Sequence, residues 1–496
     1  MTTLTTRLEY DMSIGGEFRS AANGARIDSF DPSTGQRLGA FPAATPEDVD
    51  LAVETAHRAS DDWSRTAPSV RAGLLTELAD AIDANAEEFA RIDTADNGSL
   101  LTEMRRDVAA GVGALRYFAG LALQVRGSTL PATVGELTYT THTPFGVVGR
   151  IVPFNHPFMF AASKIAAPLV TGNAVVLKPS EHTSLSALRL AELAHDILPA
   201  GVFNVVTGDG LAVGDSLVAH PAVRRLAFTG SVATGLAITR RAAQASVKSV
   251  TLELGGKNPL VVFPDADLDL VVDAAVRGMN FTWQGQSCGS LSRVVVHSAV
   301  HDEFVEKLTD RVAALRPGLP TDPTSQTGAI VHEQQLNKVL EYVQIGLADG
   351  ARLCTGGERI TEGELADGLF VRPAVFADVT VNSRLAQEEI FGPILSVLRF
   401  GSEEEAIRIA NSTRFGLTAS VFTRDLATAH RFVDAVEAGY VWVNEVSRHL
   451  LGSPYGGVKD SGIGREEELA ELYSYTQTKN VHINFSEHRR EGAVQA

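Results

Sequence analysis

Only two cysteines occur in 496 residues, Cys288 and Cys354, and neither has a second cysteine or a histidine at metal-finger spacing. That scarcity excludes a disulfide-stapled secreted scaffold and leaves no metal site to expect, and a reducing cytoplasmic setting fits best. Long hydrophobic runs are missing as well. No stretch reaches membrane-spanning length, and Met1 to Phe18 has no apolar segment of signal-peptide length, so no membrane partner is expected. Positive charge is in deficit, with 43 Lys and Arg against 60 Asp and Glu for a formal charge of -17. No local basic run offsets this, which argues against nucleic acid and anionic lipid.

What is present is apolar and patterned. A hydrophobic fraction of 44% over this length supports a large core and exceeds what one domain holds, so two or three domains are expected. Residues 11 to 41 read as antiparallel hairpins on a surface, broken by Gly15-Gly16, Asn23-Gly24 and Asp31-Pro32. Helices follow, one capped by Thr45 with Pro46 at its first position and another beginning near Ser69. Val125 to Thr143 alternates without a long apolar face and reads as a protruding hairpin that needs a partner strand. The tail, Lys479 to Phe485, alternates again and is a candidate partner. From Phe145 onward short apolar strands alternate with helices, the pattern of a parallel sheet covered on both faces. A second such series begins at Pro259, so the fold class is α/β, with two domains sharing a cleft and a boundary near Gly255-Gly256.

Two residues at the ends of elements carry the chemistry. Glu253 closes a strand and is followed by two glycines, and Cys288 sits in a loop flanked by Gly285 and Gly289. Those glycines are expected to let the backbone approach a bound group closely. A thiolate as nucleophile and a carboxylate as general base suit such a pair. Phe228-Thr-Gly230-Ser231 ends a strand and opens a helix, where backbone amides hold a pyrophosphate or simply make a turn. Lys178 and Glu181 stand at another strand end, as ribose contacts or as a solvated turn. Asn155 is either a turn former or a donor to a developing oxyanion. Cys354 has no acid or base at motif spacing and reads as incidental, and the acidic turn at Gln387 to Glu389 taken alone reads as surface.

The order and spacing of these pieces resemble the aldehyde dehydrogenase superfamily from about Ile14 to His482. The matching segments are Pro-Phe-Asn155, Lys178-Pro-Ser-Glu181, Phe-Thr-Gly230-Ser231, Leu-Glu253-Leu-Gly-Gly-Lys, Gly-Gln-Ser-Cys288, Glu389-Ile-Phe391-Gly-Pro, Trp442-Val-Asn444 and Pro454-Tyr-Gly-Gly-Val-Lys-Asp-Ser-Gly462. The resemblance implies a Rossmann-like cofactor domain (1–121 and 145–254) and an α/β catalytic domain (255–476). It also implies a small β oligomerisation arm (122–144 and 477–496) that assembles a homodimer or homotetramer. It implies Cys288 as nucleophile, Glu253 as base, and Asn155 with the Cys288 amide as oxyanion donors. Lys178 and Glu181 would contact a ribose, Gly230 and Ser231 the pyrophosphate, Glu389 the nicotinamide ribose, and Phe391 would pack near the nicotinamide. Glu466 resembles an acid linked to Lys178 in proton relay.

Departures from the family pattern fall at the aldehyde entrance. Phe154, His156 and Ser163 replace frequent aromatic or apolar residues, and Ser290 and Trp283 differ without removing a catalytic group. In the family the loop before Pro454 also lines the entrance, and here it carries Arg448 and His449. The expected activity is oxidation of an aldehyde to its acid with NAD, since Glu181 would repel the 2′-phosphate of NADP and no arginine adjoins it. A hydrolytic rather than CoA-acylating route follows from Glu253, which CoA-acylating relatives commonly lack. The polar entrance points to a polar, anionic or aromatic aldehyde. The alternatives are a catalytically silent relative of the same fold and an enzyme for hydrophobic aromatic or long-chain aldehydes.

Overall fold

The computed structural model describes residues 8–485, so the expected N-terminal segment before Leu8 and the tail beyond Phe485 lie outside the described residues. Two large sheets organise the chain. The first has eight strands, in the order Gly462–Ile463, Ser249–Glu253, Val223–Thr229, Val147–Ile151, Ala174–Lys178, Phe203–Val205, Met12–Ile14, Glu17–Arg19. Its central five run parallel, and both flanks are antiparallel. Val147–Ile151 and Ala174–Lys178 are buried at every position, as parallel strands covered on both faces must be. The order reverses beside Val147–Ile151, and a crevice opens at the carboxyl ends of strands at such a point.

The second sheet has seven strands, from Arg352–Thr355 through Ala374–Ala377, Ile394–Phe400, Arg293–His297, Pro259–Val262 and Thr418–Phe422 to Tyr440–Val443. Only the Arg352–Thr355 pairing is antiparallel. Residues 462–463, expected within the 255–476 segment, cross back and pair with Ser249–Glu253 of the first sheet. A third sheet joins Thr129–Leu130, Glu136–Pro144 and Thr476–Asn484, with the last two paired in register from Thr476↔Pro144 to Asn484↔Glu136. The hairpin therefore finds its partner strand in the tail.

Helix ends follow the sequence signals. Thr45 and Asp48 close a reciprocal capping box on the helix Pro46–Arg65. After the strand Phe203–Val205 the chain opens as a π-turn, Gly210–Gly214, capped by Asp209, and becomes α-helical at Asp215–Ala219. The N-terminal hairpins differ from the expected surface position. Met12–Ile14 is wholly buried and extends the first sheet beyond Phe203–Val205, because a short apolar strand gains more from a sheet edge than from solvent.

Candidate active site

Asn155, Lys178, Glu181, Gly230, Ser231 and Glu253 sit at or just past the carboxyl end of a parallel strand, while Cys288 and Glu389 lie in loops that follow short helical turns. Asn155 follows Val147–Ile151, Lys178 and Glu181 follow Ala174–Lys178, Gly230 and Ser231 follow Val223–Thr229, and Glu253 ends Ser249–Glu253. Two cavities open there. A cleft of about 970 Å³ runs over the strand ends and is lined by Lys178, Glu181, Ser231, Glu389 and Phe391, among others. A funnel of about 1300 Å³ lies on the other side, with His156, Ser163, Arg448 and His449 in its wall. Phe160, Glu253 and Cys288 line both, so thiol and carboxylate occupy the seam between the two cavities.

The Cys288 loop is pinned from below. The Asn258 amide donates to the Cys288 carbonyl at 2.7 Å and the Ser290 carbonyl at 2.9 Å, while its oxygen accepts the Thr418 N–H at 3.0 Å. Gly285 has φ +67, and a Cβ there would lie 2.4 Å from the Gly392 oxygen. The glycine thus admits another stretch of backbone, not a bound group as expected. Gly289 meets nothing closer than 3.7 Å. Burial and the neighbouring Glu253 push the Cys288 thiol well up. Burial first, and Glu466 second, push the Glu253 carboxyl up to about 8, while Lys164 pulls it back. Glu253 Oε1 and Asn155 Oδ1 are buried and have no hydrogen-bond partner among the described residues.

Behind Glu253 stands a buried ionic group centred on Glu466, with two partners, Lys164 and Arg150, that the sequence does not signal by motif. Glu466 accepts from Lys164 at 2.6 Å and from Arg150 at 2.8 Å. The expected link from Glu466 to Lys178 is therefore corrected, since Lys178 pairs with Glu181 at 3.1 Å on the cleft side. The two cations hold Glu466 far below the ordinary range despite its burial. Burial and the charge of Glu466 push neighbouring Glu471 up to about 7. A signal for Lys164 existed, because it is the one charged residue in the otherwise apolar, buried helix Pro157–Val170, and a lone charge there needs a partner.

The cleft has the donor set of a dinucleotide site. Ser231 caps the 14-residue helix Val232–Ala245 by accepting the Thr234 N–H at 3.2 Å, leaving a helix start of the kind that binds phosphate. Burial opposes the charge on Glu181, yet Lys178 holds its carboxyl below the usual range, which keeps it an acceptor for hydroxyls. Val218, Ala237 and Ile238 give the cleft an apolar end suited to a flat base. Glu389 is not a free surface acid. It accepts the Gly256 N–H at 3.0 Å and lines the cleft. Phe391 lies edge-on to Phe154 with ring centroids 5.7 Å apart. His182 and His332, both unforeseen, stack at 4.0 Å in the same wall.

The funnel is aromatic inside and charged outside. His156 packs 5.4 Å from Trp283 and 5.5 Å from Phe160, with its Nδ1 2.7 Å from Asp107. Three arginines of the wall are paired, Arg106 with Glu103 at 2.9 Å, Arg277 with Glu445 at 3.3 Å and Arg311 with Asp273 at 2.9 Å. Arg448 is exposed and forms no ion pair among the described residues, although its carbonyl accepts the Trp442 indole N–H at 2.9 Å. His449 packs on Tyr455 at 4.6 Å and lies 3.6 Å from Glu467. Cys354, on the strand Arg352–Thr355, lines neither cavity.

Residues 18–481 match the model of the aldehyde dehydrogenase family. The chain is 46% identical over 484 residues to the aldehyde dehydrogenase tropH of Talaromyces stipitatus, covering 96% of this chain and 94% of that relative. Its fold is similar to a crystal structure of a putative aldehyde dehydrogenase from Burkholderia cenocepacia, with TM-score 0.94, 42% identity and 98% and 99% of the two chains covered. It is likewise similar to betaine aldehyde dehydrogenase from Staphylococcus aureus solved with NAD+, with TM-score 0.94, 35% identity and 97% and 95% covered.

Proposed function

The chain belongs to the aldehyde dehydrogenase family and is an NAD-dependent aldehyde dehydrogenase; from that premise we propose a hydrolytic route through Cys288 and Glu253. The observation that carries the proposal is the placement of both residues at the seam where cleft and funnel meet. An aldehyde entering by the funnel meets the Cys288 sulfur. The Cys288 thiol releases its proton to water in the funnel, the resulting thiolate adds to the carbonyl carbon, and the new oxyanion is held by the Asn155 amide and the Cys288 backbone N–H. Lys178, Glu181, Gly230, Ser231 and Glu389 would hold NAD in the cleft, where it would supply the hydride acceptor that lets the Cys288 adduct become a thioester. Glu253 then removes a proton from water, hydroxide adds to the thioester, the C–S bond breaks and the carboxylic acid departs.

Burial disfavours both charged forms at rest, the Cys288 thiolate and the Glu253 carboxylate. Lys164, Arg150 and Glu466 position that equilibrium: the ammonium of Lys164 favours the carboxylate of Glu253 and the charge of Glu466 opposes it. The substrate we assign has an apolar or aromatic body, set against Phe160 and Trp283, and a polar or anionic group at the mouth. There Arg448 is, among the described residues, the arginine of the wall without a counter-charge, and a guanidinium forms a bidentate pair with a carboxylate. We assign 1–121 and 145–254 to cofactor binding, 255–476 to catalysis, and the Glu136–Pro144 and Thr476–Asn484 strands to an arm joining subunits of a cytoplasmic dimer or tetramer. No helix among the described residues is long and apolar enough to cross a membrane.

Initial rates on a panel of anionic, aromatic and aliphatic aldehydes, each with NAD and NADP, test this reading. It holds if NAD supports turnover and the highest kcat/KM belongs to an aldehyde with a distal carboxylate. A preference for long alkyl aldehydes overturns the substrate assignment, and absence of any NADH burst overturns the catalytic one.

A further inference from the structure

The hydroxyl of Tyr455 has one recorded hydrogen-bond partner among the described residues, and it is the nucleophile: Oη lies 3.7 Å from Cys288 Sγ. Tyr455 is buried, with 5% of its surface exposed. A buried phenol ordinarily finds a stronger acceptor than a thiol, or the hydroxyl is a net cost. Its position is also firmly set. Backbone hydrogen bonds run in both directions between Tyr455 and Glu466, at 2.9 and 2.8 Å, and Glu466 is itself tied to Lys164 and Arg150. The rings of His449 and Tyr440 flank the phenol at 4.6 and 5.9 Å. A flexible side chain filling space would not be clamped at backbone and ring alike.

We propose that Tyr455 is a catalytic residue that donates a hydrogen bond to the Cys288 thiolate, stabilising the attacking form of the nucleophile. When the sulfur carries a proton, either atom can donate. Once that proton has left, only the phenol has one to give, so the contact becomes charge-assisted and strengthens. Tyr455 keeps its own proton throughout. The bond that forms in the next step joins sulfur to the carbonyl carbon, and the hydrogen bond is given up as the negative charge moves to oxygen. The electrostatics agree with this geometry: burial, Glu253 and Glu389 all favour the neutral thiol, whereas the Tyr455 hydrogen bond favours the thiolate.

The inference rests on Cys288 as the nucleophile, and its test needs neither aldehyde nor cofactor. The full chain carrying Cys354→Ser, with Cys288 as its remaining cysteine, is alkylated with iodoacetamide from neutral to alkaline pH, with Tyr455 and with Tyr455→Phe. The expected result is a profile displaced to higher pH by about one unit, hence about tenfold slower alkylation at neutral pH, on the scale of one charge-assisted hydrogen bond. The alkaline plateau should be equal or higher, because a less stabilised thiolate is the better nucleophile. An unchanged profile, or slowing by the same factor at every pH including the plateau, overturns the proposal and assigns Tyr455 to packing. A second readout covers poor folding of Tyr455→Phe. In Cys288→Ala the phenol no longer faces a thiolate, so one tyrosine should ionise at lower pH by near-ultraviolet absorbance, and an unchanged tyrosine titration also overturns the proposal. Persistent turnover in Cys288→Ala would instead refute the nucleophile itself.

Discussion

The cleft and the funnel meet at Cys288 but are built differently. The cleft takes Lys178, Glu181, Ser231 and Glu253 from the ends of parallel strands of one sheet, and His332, Gln335 and Glu389 close it from the side of the other. The funnel takes its wall from the helices Leu101–Gly120 and Pro157–Val170, the Cys288 loop and residues 442–471, and it is crossed by ion pairs between segments far apart in sequence, His156 with Asp107, Arg277 with Glu445 and Arg311 with Asp273. Strand ends are held by the whole sheet and change little, whereas a wall of loops and helix faces can be recast one side chain at a time. Cofactor chemistry is thereby uncoupled from substrate choice.

The seam residues should show the largest effects, because both halves of the reaction pass through them. Cys288→Ala is expected to lose steady-state oxidation by a factor on the order of 10⁴ or more and to show no NADH burst in stopped flow. Glu253→Gln should keep a single-turnover burst while kcat falls about 10²–10⁴-fold. With Glu253 present, kcat should rise with pH through about 8, since the carboxyl is neutral below that value and only its ionised form accepts a proton. If kcat limited by deacylation were flat across that range, Glu253 would not be the base.

The buried ionic group behind the seam belongs to neither cavity alone and tests their coupling. Lys164→Met leaves Glu466 with Arg150 as its remaining partner and should cost about 3–5 kcal/mol in urea unfolding. It also removes the cation that favours the Glu253 carboxylate. The kcat profile should therefore move to higher pH, a change that a purely structural lysine would not produce.

On the cleft side, kcat/KM with NAD should exceed that with NADP by at least about tenfold, and Glu181→Gln should narrow the gap. Unchanged discrimination would place cofactor choice elsewhere in the cleft. The smallest effect belongs to the funnel mouth. Arg448→Met should reduce the preference for an anionic over an uncharged aldehyde of equal length by only about fivefold or less, because an exposed pair is worth at most about 1 kcal/mol. An unaltered ranking would return Arg448 to the status of a solvated surface residue.

What was legible in the sequence followed this same division. Alternating strands and helices are local features that put Asn155, Lys178, Glu181, Ser231 and Glu253 at strand ends, while a shared crevice for them is what the family resemblance implies. Glu466 was assigned the wrong lysine, because Lys164 sits mid-helix without a motif of its own. Tyr455 was passed over as part of the Pro454 to Gly462 segment, though an aromatic with a hydroxyl in a buried position always needs a partner. Gly285 was read as space for a bound group, whereas Gly392 fills that space.

The sequence by itself determined the α/β class and, through the resemblance its ordered motifs carry, membership of the family, because periodicity and motifs are encoded within a few positions of one another. Only the tertiary structure decided which charges face each other. Lys164 meets Glu466 across 302 residues, Tyr455 reaches Cys288 across 167, and the strand Glu136–Pro144 pairs with the tail. Burial then sets how strongly those groups hold or release a proton, and burial is a property of the packed chain, to which no single stretch of it has access.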